Sequence, residues 1–349
     1  MPIRKKTTLK EIADLLGVTT ATVSKALRDS SDISDAMRKK VKKIAHEMGY
    51  RPNILARTLI RHRSYLLGVL IPDLRISFFS ETTRGIYEQA RSRNYETILM
   101  IHDEKPEIEK KSLEFLSDLQ VDGILCNPAA GISSNCDIYQ ELIKEGIPIV
   151  CYDRKPADID FPSVTIDDRK AAFELTSEII QEGRKRILFL GPNKGISVGE
   201  NRYQGYLDAL SLHHIDLNPD FVVSSDLFPK NSYDMMKFTL EKGIKPDAVV
   251  CVGGGVAYGA GHAILKSKLI IPDDIILGEF GDNDIMARLD VPYITINQNP
   301  YRIGQRAVDL LIKTIETDKE DTPVEHIIVE TKLIHREIGI QIIPDSSMF

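Results

Sequence analysis

The segment VTTATVSKALRD, residues 18–29, places small side chains and one lysine on a short predicted helix. With the apolar residues of this helix turned inward, the residues facing outward include Thr20, Ala21 and Lys25. A lysine ammonium can donate to O6 and N7 of guanine, and the methyl groups of Thr and Ala can contact the methyl group of thymine. Small side chains also permit a close approach to base edges. The pattern predicts a helix that reads DNA in the major groove.

A second set of residues could bind a polyhydroxylated ring. Aromatic, carboxylate, guanidinium and amide groups follow the apolar runs of the later chain, and each sugar hydroxyl can donate to one such group and accept from another. Taken singly, Phe78 also fits a core position, the Asp153–Arg154 pair a surface ion pair, and Asp167 a helix N-cap. The candidate effector-binding residues are Phe78, Phe79, Asp153, Arg154, Asp167, Arg202, Asp282 and Gln298.

Three helices must position the DNA-reading segment. The spacing of Thr8 and Glu11 predicts a capping box at the start of the first helix, and Gly17 predicts its end. Thr19 is expected to cap the second helix, and a third helix is expected to start near Ser34. Helix, short turn with glycine, short helix and supporting helix make a helix-turn-helix unit. The alternative is a three-helix bundle that binds protein, and the small outward residues of the second helix argue against it.

Charge is divided unevenly between the first 63 residues and the rest of the chain. Residues 1–63 carry 15 Lys and Arg against 6 Asp and Glu, in a chain of 349 residues with a formal net charge of -6. A basic head on an acidic body indicates a polyanionic partner for the head. The run RKKVKK at 38–43 has two readings: the solvated face of the third helix, or phosphate contacts that add affinity and salt dependence.

The body beyond residue 64 alternates continuous apolar runs with amphipathic helical stretches. Continuous runs separated by helices indicate parallel sheets covered on both faces. Two blocks of similar size predict an α/β core of two doubly wound parallel-sheet subdomains, with a cleft where ligands bind beyond the carboxyl ends of the strands. The runs that fit buried strands are 65–71, 97–101, 123–126, 147–151, 186–190, 247–252, 275–280 and 293–297.

The head resembles the lac/gal repressor family of bacterial regulators. The stretches TTLKEIADLLGVTTATVSKAL and YRPNILARTL, residues 7–27 and 50–59, carry the resemblance. It implies that residues 53–59 form a hinge helix that folds on DNA, with Leu59 prying apart a base step in the minor groove and Ala56 packing close. The residues expected to touch DNA are Thr8, Thr19, Thr20, Ala21, Thr22, Ser24, Lys25, Asn53, Ala56, Arg57 and Leu59.

The body resembles the same family to about residue 336. The resemblance implies a fold like that of periplasmic sugar-binding proteins, with the effector between the subdomains. By motif it places Phe79, Asp153, Asp167, Arg202 and Asp282 on effector positions, with the stretch NRYQGY as the firmest match. The stretch EFGDN departs from the family pattern, and the glycine at position 254 stands where members usually place Asn or Asp. The resemblance therefore implies an unusual effector pocket.

The expected organisation has three parts. A helix-turn-helix DNA-binding domain takes residues 1–50, a hinge helix and linker 51–63, and an effector-binding and dimerisation core 64–349. Within the core, we expect an N-terminal subdomain of about 64–165 and 297–325, and a C-terminal subdomain of about 166–294 and 326–349.

The expected partners are double-stranded operator DNA, a carbohydrate effector and a second copy of the chain, with no cofactor and no metal. Dimerisation is expected because one short recognition helix reads too few bases. The tail GIQIIPDSSMF shows no leucine heptad, which favours a dimer over a tetramer.

Other functional classes fit the sequence less well. The stretch GISVG at 195–199 matches the G-x-S-x-G pattern of α/β-hydrolases, but the strand before it ends near Leu190 and leaves Ser197 on a loop. The adjacent pair His213–His214 lacks a third zinc ligand at helical spacing. A solute-binding protein would share the body but not the basic head. No apolar run is long enough for a bilayer and no secretory signal is evident, so a cytoplasmic regulator rather than an enzyme is expected.

Overall fold

The computed structural model of the chain forms two compact units, a head up to Ser64 and a body from Tyr65. Each unit is described by itself. The structure describes residues 7–27, 29–50, 63–129, 135–156, 159–192, 195–281, 284–317 and 324–337.

The head is a three-helix unit around a small apolar core. Its helices are α1 (Leu9–Leu16), α2 (Thr20–Leu27) and α3 (Asp35–Glu47). Every helix contributes two fully or almost fully buried residues, at the helical spacing that the sequence predicts. The buried residues are Ile12, Ala13, Val23, Ala26, Val41 and Ala45.

The first sheet of the body has six parallel strands in the order β11-β5-β4-β3-β1-β2. Helices α4 (Ser77–Ser92) and α12 (Pro300–Glu316) pack on one face, and α5 (Pro106–Asp118) and α6 (Cys136–Glu145) on the other. The strands are β1 (Leu66–Ile71), β2 (Glu96–Ile101), β3 (Gly123–Cys126), β4 (Ile149–Tyr152), β5 (Ser163–Thr165) and β11 (His326–Ile328).

The second sheet also has six strands, in the order β12-β10-β9-β8-β6-β7, and only its edge strand β12 is antiparallel to its neighbour. Its strands are β6 (Ile187–Leu190), β7 (Val222–Val223), β8 (Ala248–Cys251), β9 (Ile276–Phe280), β10 (Tyr293–Asn297) and β12 (Lys332–Arg336). Its helices are α7 (Asp168–Gln181), α8 (Ser197–Leu212), α9 (Pro229–Glu241), α10 (Gly254–Lys266) and the short α11 (Asp284–Ala287).

Successive residues of β9 show that helices cover both faces of the second sheet. A Cβ at Gly278 would meet Leu175 and Ile179 of α7, whereas the preceding Leu277 lies toward Gly261 of α10. Side chains alternate between the faces of a strand, so α7 and α10 lie on opposite sides. The predicted doubly wound architecture is confirmed for both sheets.

Close helix packing depends on glycine on the first sheet. A Cβ at Gly85 of α4 would lie only 2.2 Å from the carbonyl oxygen of Tyr301 on α12. Only glycine lets the two backbones approach to this distance.

The chain crosses between the two subdomains at 166–167, 298–299 and 329–331. Strand β11 pairs in parallel with β5, so residues 326–328 belong to the first sheet. The expected boundary after residue 325 placed residues 326–328 in the second subdomain, so this boundary is wrong by the length of strand β11. Its three residues are at most half-buried and offer no continuous apolar run. Strand β10 likewise carries the second subdomain through residue 297, beyond the expected 294.

Among the helices that the structure describes, none is long and apolar enough to cross a membrane.

Candidate functional site

The ends of the head helices are capped by the residues that the sequence indicates. The hydroxyl oxygen of Thr8 accepts a hydrogen bond from the backbone N–H of Glu11, and the Glu11 carboxylate accepts one from the N–H of Thr8. Gly17 ends α1 with φ of 65°. The hydroxyl oxygen of Thr19 accepts a bond of 3.1 Å from the N–H of Thr22. These contacts fix where α2 begins; DNA contacts by the same threonines remain a prediction.

The outward face of α2 carries the predicted DNA-reading residues. Thr20, Ala21 and Lys25 are exposed, and Ser24 is half-buried. The helix is anchored below them by Val23 and Ala26. Most of the side chains on its outer surface are therefore small, as close approach to a base edge requires.

Lys25 is held by a carboxylate that the sequence did not reveal. Its Nζ lies 2.5 Å from Oδ2 of Asp32, and the hydroxyl of Ser30 donates to the other carboxylate oxygen at 2.6 Å. Hydrogen bonds from Lys25 and then Ser30 lower the pKa of Asp32 to about 2. Asp32 is therefore ionised at neutral pH and holds the lysine in an ion pair.

Part of the basic run at 38–43 has an internal role. Nζ of Lys42 lies 2.6 Å from the carboxylate of Asp29, and Arg38 donates to two backbone carbonyls of the loop after α2. These contacts tie that loop to α3. Lys39 and Lys40 are exposed, and for them the phosphate-contact reading remains a prediction.

The body contains a cavity of about 350 Å³ at the carboxyl ends of the parallel strands of both sheets. This is within the range of about 300–1,000 Å³ usual for ligand pockets. Both subdomains contribute, and twelve of the 23 lining residues are apolar. The lining comprises residues 75–79, 153, 154, 192, 196, 198, 199, 202, 227–229, 252–255, 280, 281, 285 and 298.

Arg202 of α8 organises the buried polar part of this cavity. Its guanidinium donates to Oδ1 of Asp168 at 2.7 Å, to Oε1 of Gln298 at 2.8 Å and to the carbonyl of Val252 at 2.5 Å. The group also lies 3.9 Å from the ring centroid of Phe280. Burial raises the pKa of Asp168 to about 6 despite the positive charge beside it. These contacts hold the planar fork of the arginine in one orientation.

Asp153 and Arg154 lie at the end of β4 and also line the cavity. Nε of Arg154 lies 3.7 Å from Oδ2 of Asp153, so the expected ion pair is present, but the side chains are only 3% and 9% exposed and the pair is buried rather than at the surface. Arg154 also makes a two-pronged contact with Glu104, at 2.6 and 3.0 Å. Asp153 accepts a bond of 2.9 Å from Nδ2 of Asn127, and burial raises its pKa.

Asp167 does not line the cavity, which corrects the expectation for this residue. It is exposed, and its carboxylate caps α7 by accepting a bond of 3.0 Å from the N–H of Lys170. The adjacent Asp168 carries the buried carboxylate instead. The capping pattern could have indicated which of the two carboxylates is buried. An N-cap side chain turns back to its own helix and leaves the next residue to point elsewhere.

The remaining effector candidates have mixed outcomes. Phe78, Phe79 and Gln298 all line the cavity, and the two phenylalanine rings meet edge to face with centroids 5.2 Å apart. Phe78 also packs against the apolar core of the first sheet, so the alternative of a core position holds for this residue as well. One effector candidate, Asp282, lies outside the described residues. The same holds for four of the predicted DNA contacts: Asn53, Ala56, Arg57 and Leu59.

Two cavity residues were missed by the sequence reasoning. Arg75 is gripped by the carboxylate of Asp73, with Nη2 2.5 Å from Oδ2, and its guanidinium lies 5.1 Å from the ring centroid of Phe228. This contact joins the two subdomains at the mouth of the cavity. Phe228 follows the two-residue strand β7, which is too short to leave a recognisable apolar run.

Ser197 lacks the setting that a hydrolase needs. It is the first residue of α8, and six residues separate it from the end of β6. A nucleophile elbow requires a sharp turn directly between strand and helix.

One surface cluster offers metal-ligand atoms. Among the described residues, Glu178, Glu182 and His335 form the group whose ligand atoms lie within 4.8 Å of one another. The histidine already contacts both carboxylates, with Nε2 3.0 Å from Oε1 of Glu178. The three side chains therefore already contact one another in a partly exposed cluster.

Two family descriptions match the chain. Residues 64–337 match "Periplasmic binding proteins and sugar binding domain of LacI family", and residues 8–53 match "Bacterial regulatory proteins, lacI family".

Curated relatives are similar over nearly their whole length. The chain is 33% identical over 337 residues to the HTH-type transcriptional regulator RegA of Clostridium saccharobutylicum, covering 96% of this chain and 99% of the relative. It is 30% identical to the HTH-type transcriptional repressor CytR of Escherichia coli (strain K12), covering 88% and 90%. The ribose operon repressor of Haemophilus influenzae is 29% identical, covering 90% and 93%.

Solved structures share the fold. A lac repressor dimer bound to operator and the anti-inducer ONPF superposes with a TM-score of 0.85 at 22% identity, covering 97% of this chain and 100% of that one. A complex of the transcriptional regulator CelR with cellobiose gives a TM-score of 0.72 at 23% identity, covering 96% and 100%.

Proposed function

Since the chain belongs to the LacI family of bacterial regulatory proteins, we propose that an effector bound in the cavity controls how tightly the head holds operator DNA. The chain is a DNA-binding transcriptional regulator with an effector domain of the sugar-binding type, and it binds operator DNA as a dimer. Relatives named as repressors support repression as its action. We further infer that it acts in the cytoplasm and catalyses no reaction.

The observation that carries the proposal is a cavity lined by residues of both subdomains, in which Arg202 of one subdomain donates to Gln298 at the crossing between them. The described chain crosses between the subdomains at three short segments. A ligand that contacts both sides stabilises one relative orientation of two packed bodies over another. Effector binding is thereby coupled to a movement of the body.

We assign effector contacts to the polar and aromatic groups of the cavity. Phe78 and Phe79 present ring faces and edges, while Asp153, Arg202 and Gln298 present acceptors and donors. Asp168 positions Arg202, and the pairing of Arg154 with Glu104 holds the loop after β4. An effector contact by Asp282 remains a prediction.

On the DNA side, we assign base-edge contacts to Thr20, Ala21 and Lys25. The hinge residues predicted to enter the minor groove complete the switch: a change in the spacing of the paired hinges orders or melts them. Coupling energies of this kind are typically about 1–3 kcal/mol, or about 5–150-fold in operator affinity. The hinge residues concerned are Asn53, Ala56, Arg57 and Leu59.

Arg202→Ala tests the assignment of the cavity. The full-length protein is first used to select an operator fragment from its source DNA, and compounds of a sugar, glycoside and nucleoside panel are screened for release of that fragment. We expect Arg202→Ala to bind the fragment normally in the absence of small molecules and to lose the response to the compound that releases the wild type. Fluorescence anisotropy of the labelled fragment measures both properties.

Two further variants keep the test decisive. Asp153→Asn leaves the buried pair of Arg202 and Asp168 intact and should also weaken the response. Arg169→Ala removes an exposed ion pair with Asp208, at 2.6 Å between the same two helices, and should leave the response unchanged. An Arg202→Ala protein that still responds like the wild type refutes the cavity assignment.

A further inference from the structure

Two carboxylates and an imidazole meet on the surface of the second subdomain, outside the cavity lining. Glu178 and Glu182 lie one turn apart on α7, so their side chains project from the same side of the helix. His335 of the edge strand β12 reaches both, with Nε2 3.0 Å from Oε1 of Glu178 and Nδ1 3.6 Å from Oε1 of Glu182. Glu178 and His335 are 157 positions apart in the chain, so the sequence did not indicate that they meet.

The fold determines that this histidine faces the helix. Side chains alternate along a strand, so His335 shares a face of β12 with Leu333, which packs against the core of the second sheet. On α7, Leu175 and Ile179 face the same sheet at Gly278. The imidazole and the two carboxylates lie where this packing meets solvent, and each side chain is between 35% and 49% exposed.

The two carboxylates differ from an ordinary exposed glutamate of the same helix. Glu174, one turn before Glu178, lies 3.7 Å from Nζ of Lys170. Within the described ranges, no lysine or arginine pairs with Glu178 or Glu182, and the basic side chain that contacts them is His335. Like charges one turn apart repel each other on a helix. A neutral imidazole compensates neither charge, whereas one divalent cation compensates both.

The three side chains offer the ligand atoms that zinc and similar ions bind. One ligand atom from each residue lies within 4.8 Å of the others. Ligand atoms that share one zinc ion at about 2.0–2.2 Å are about 3–3.5 Å apart, so the 3.0 Å between His335 and Glu178 already fits. Rotation of the exposed Glu182 side chain brings its oxygen to the same ion. The imidazole favours a zinc-like ion over magnesium and calcium, which prefer oxygen ligands.

We propose that Glu178, Glu182 and His335 form a binding site for zinc or a similar divalent transition-metal ion. Three protein ligands leave a coordination position for water, and the bound ion joins the edge strand β12 to α7. The chain enters β12 directly after the last described crossing between the subdomains. The ion therefore fastens the strand at the end of that crossing. The site is separate from the effector cavity and does not depend on the proposed function.

Calorimetric titration of the metal-free, full-length protein with zinc chloride tests the site. We expect a binding event that His335→Ala weakens at least about tenfold, because the imidazole ligand is gone. Glu178→Gln should weaken it likewise while keeping the size of the side chain, so a folding defect does not explain a loss that both variants share. His326→Ala is the matched control, because that histidine contacts one carboxylate, on Asp160, and its loss should leave zinc binding unchanged.

Two further measurements locate the ion. Zinc should slow hydrogen exchange of the backbone N–H groups of β12 in the wild type and leave their exchange unchanged in His335→Ala. Cobalt(II) bound at the same site should give the visible absorption of nitrogen and oxygen ligation, without the sulfur-to-metal charge-transfer band that a cysteine ligand would add.

Four outcomes overturn the inference. The first is the absence of any heat of binding at zinc concentrations up to about 1 mM. The second is zinc binding that neither His335→Ala nor Glu178→Gln weakens, and the third is zinc-dependent protection of a segment other than β12. The fourth is binding of magnesium or calcium as tight as that of zinc, which is the behaviour of an unselective acidic surface.

Discussion

Replacing Asp32 by asparagine should make DNA binding more sensitive to salt. The variant keeps the shape of the side chain but removes the charge that holds Nζ of Lys25 at 2.5 Å. Both side chains are about half exposed, at 46% and 51%, so the released ammonium adds one uncompensated positive charge to the surface assigned to DNA. Each phosphate charge that such a cation neutralises steepens the slope of log K against log salt by about 0.9.

The size of the effect follows from one released cation in each head. A dimer gains two, so the slope should become more negative by up to about 1.8. Over a fourfold rise in salt, binding by the variant should then weaken about 12-fold more than binding by the wild type. Fluorescence anisotropy with an operator fragment and with a random duplex, each titrated at several salt concentrations, measures both slopes.

Two controls attribute the effect to Lys25. In a Lys25→Ala background, Asp32→Asn should no longer change the salt slope, because the ammonium that it releases is gone. Asp29→Asn makes the same change in net charge but releases Lys42 of α3, so its effect should persist in that background. An unchanged slope for Asp32→Asn, or a change that survives the loss of Lys25, refutes the reasoning.

Two further predictions concern the body. Gly85→Ala should lower the free energy of unfolding by about 1–3 kcal/mol, because its Cβ would lie 2.2 Å from the carbonyl oxygen of Tyr301, whereas a Cβ at Gly253 meets only an atom at 3.9 Å. Urea unfolding of Gly85→Ala and Gly253→Ala checks this, and equal stability of the two variants contradicts it. Burial raises the pKa of Asp168 from 3.8 to about 6, so the folded state retains a proton that the unfolded chain loses. The contribution of this group to stability therefore falls by about 3 kcal/mol as the pH rises from about 4 to 7. In urea unfolding, the free energy of unfolding of Asp168→Asn should rise by about 3 kcal/mol relative to that of the wild type over this pH range. A pH-independent difference between the two proteins rules out the raised pKa.

The sequence by itself determined the elements of the head, because their signals lie within a few residues. Thr8 and Glu11 are three positions apart and cap α1 as expected, and Gly17 ends the helix in the left-handed conformation that favours glycine. The inward spacing of Val23 and Ala26 likewise fixed which face of α2 is exposed. Local hydrogen bonds and helical periodicity are readable without the fold.

The sequence also located much of the cavity, because parallel strands deliver the residues after their carboxyl ends to one place. This rule brought Phe79, Asp153, Arg202 and Gln298 to the same lining. The rule selects loops rather than individual side chains, however, and so it did not distinguish Asp167 from Asp168. That choice depends on which carboxylate caps the helix and which turns inward.

Only the tertiary structure decided which charged groups pair and where short strands belong. Arg154 finds Glu104 fifty positions away, and β11 joins β5 across more than 160 residues. Strand β7, with two residues, leaves no periodic signal, and Phe228 beyond it was missed for that reason. Such contacts depend on the positions of two distant segments, which neither segment encodes alone, whereas caps and apolar stripes are fixed by neighbours along the chain.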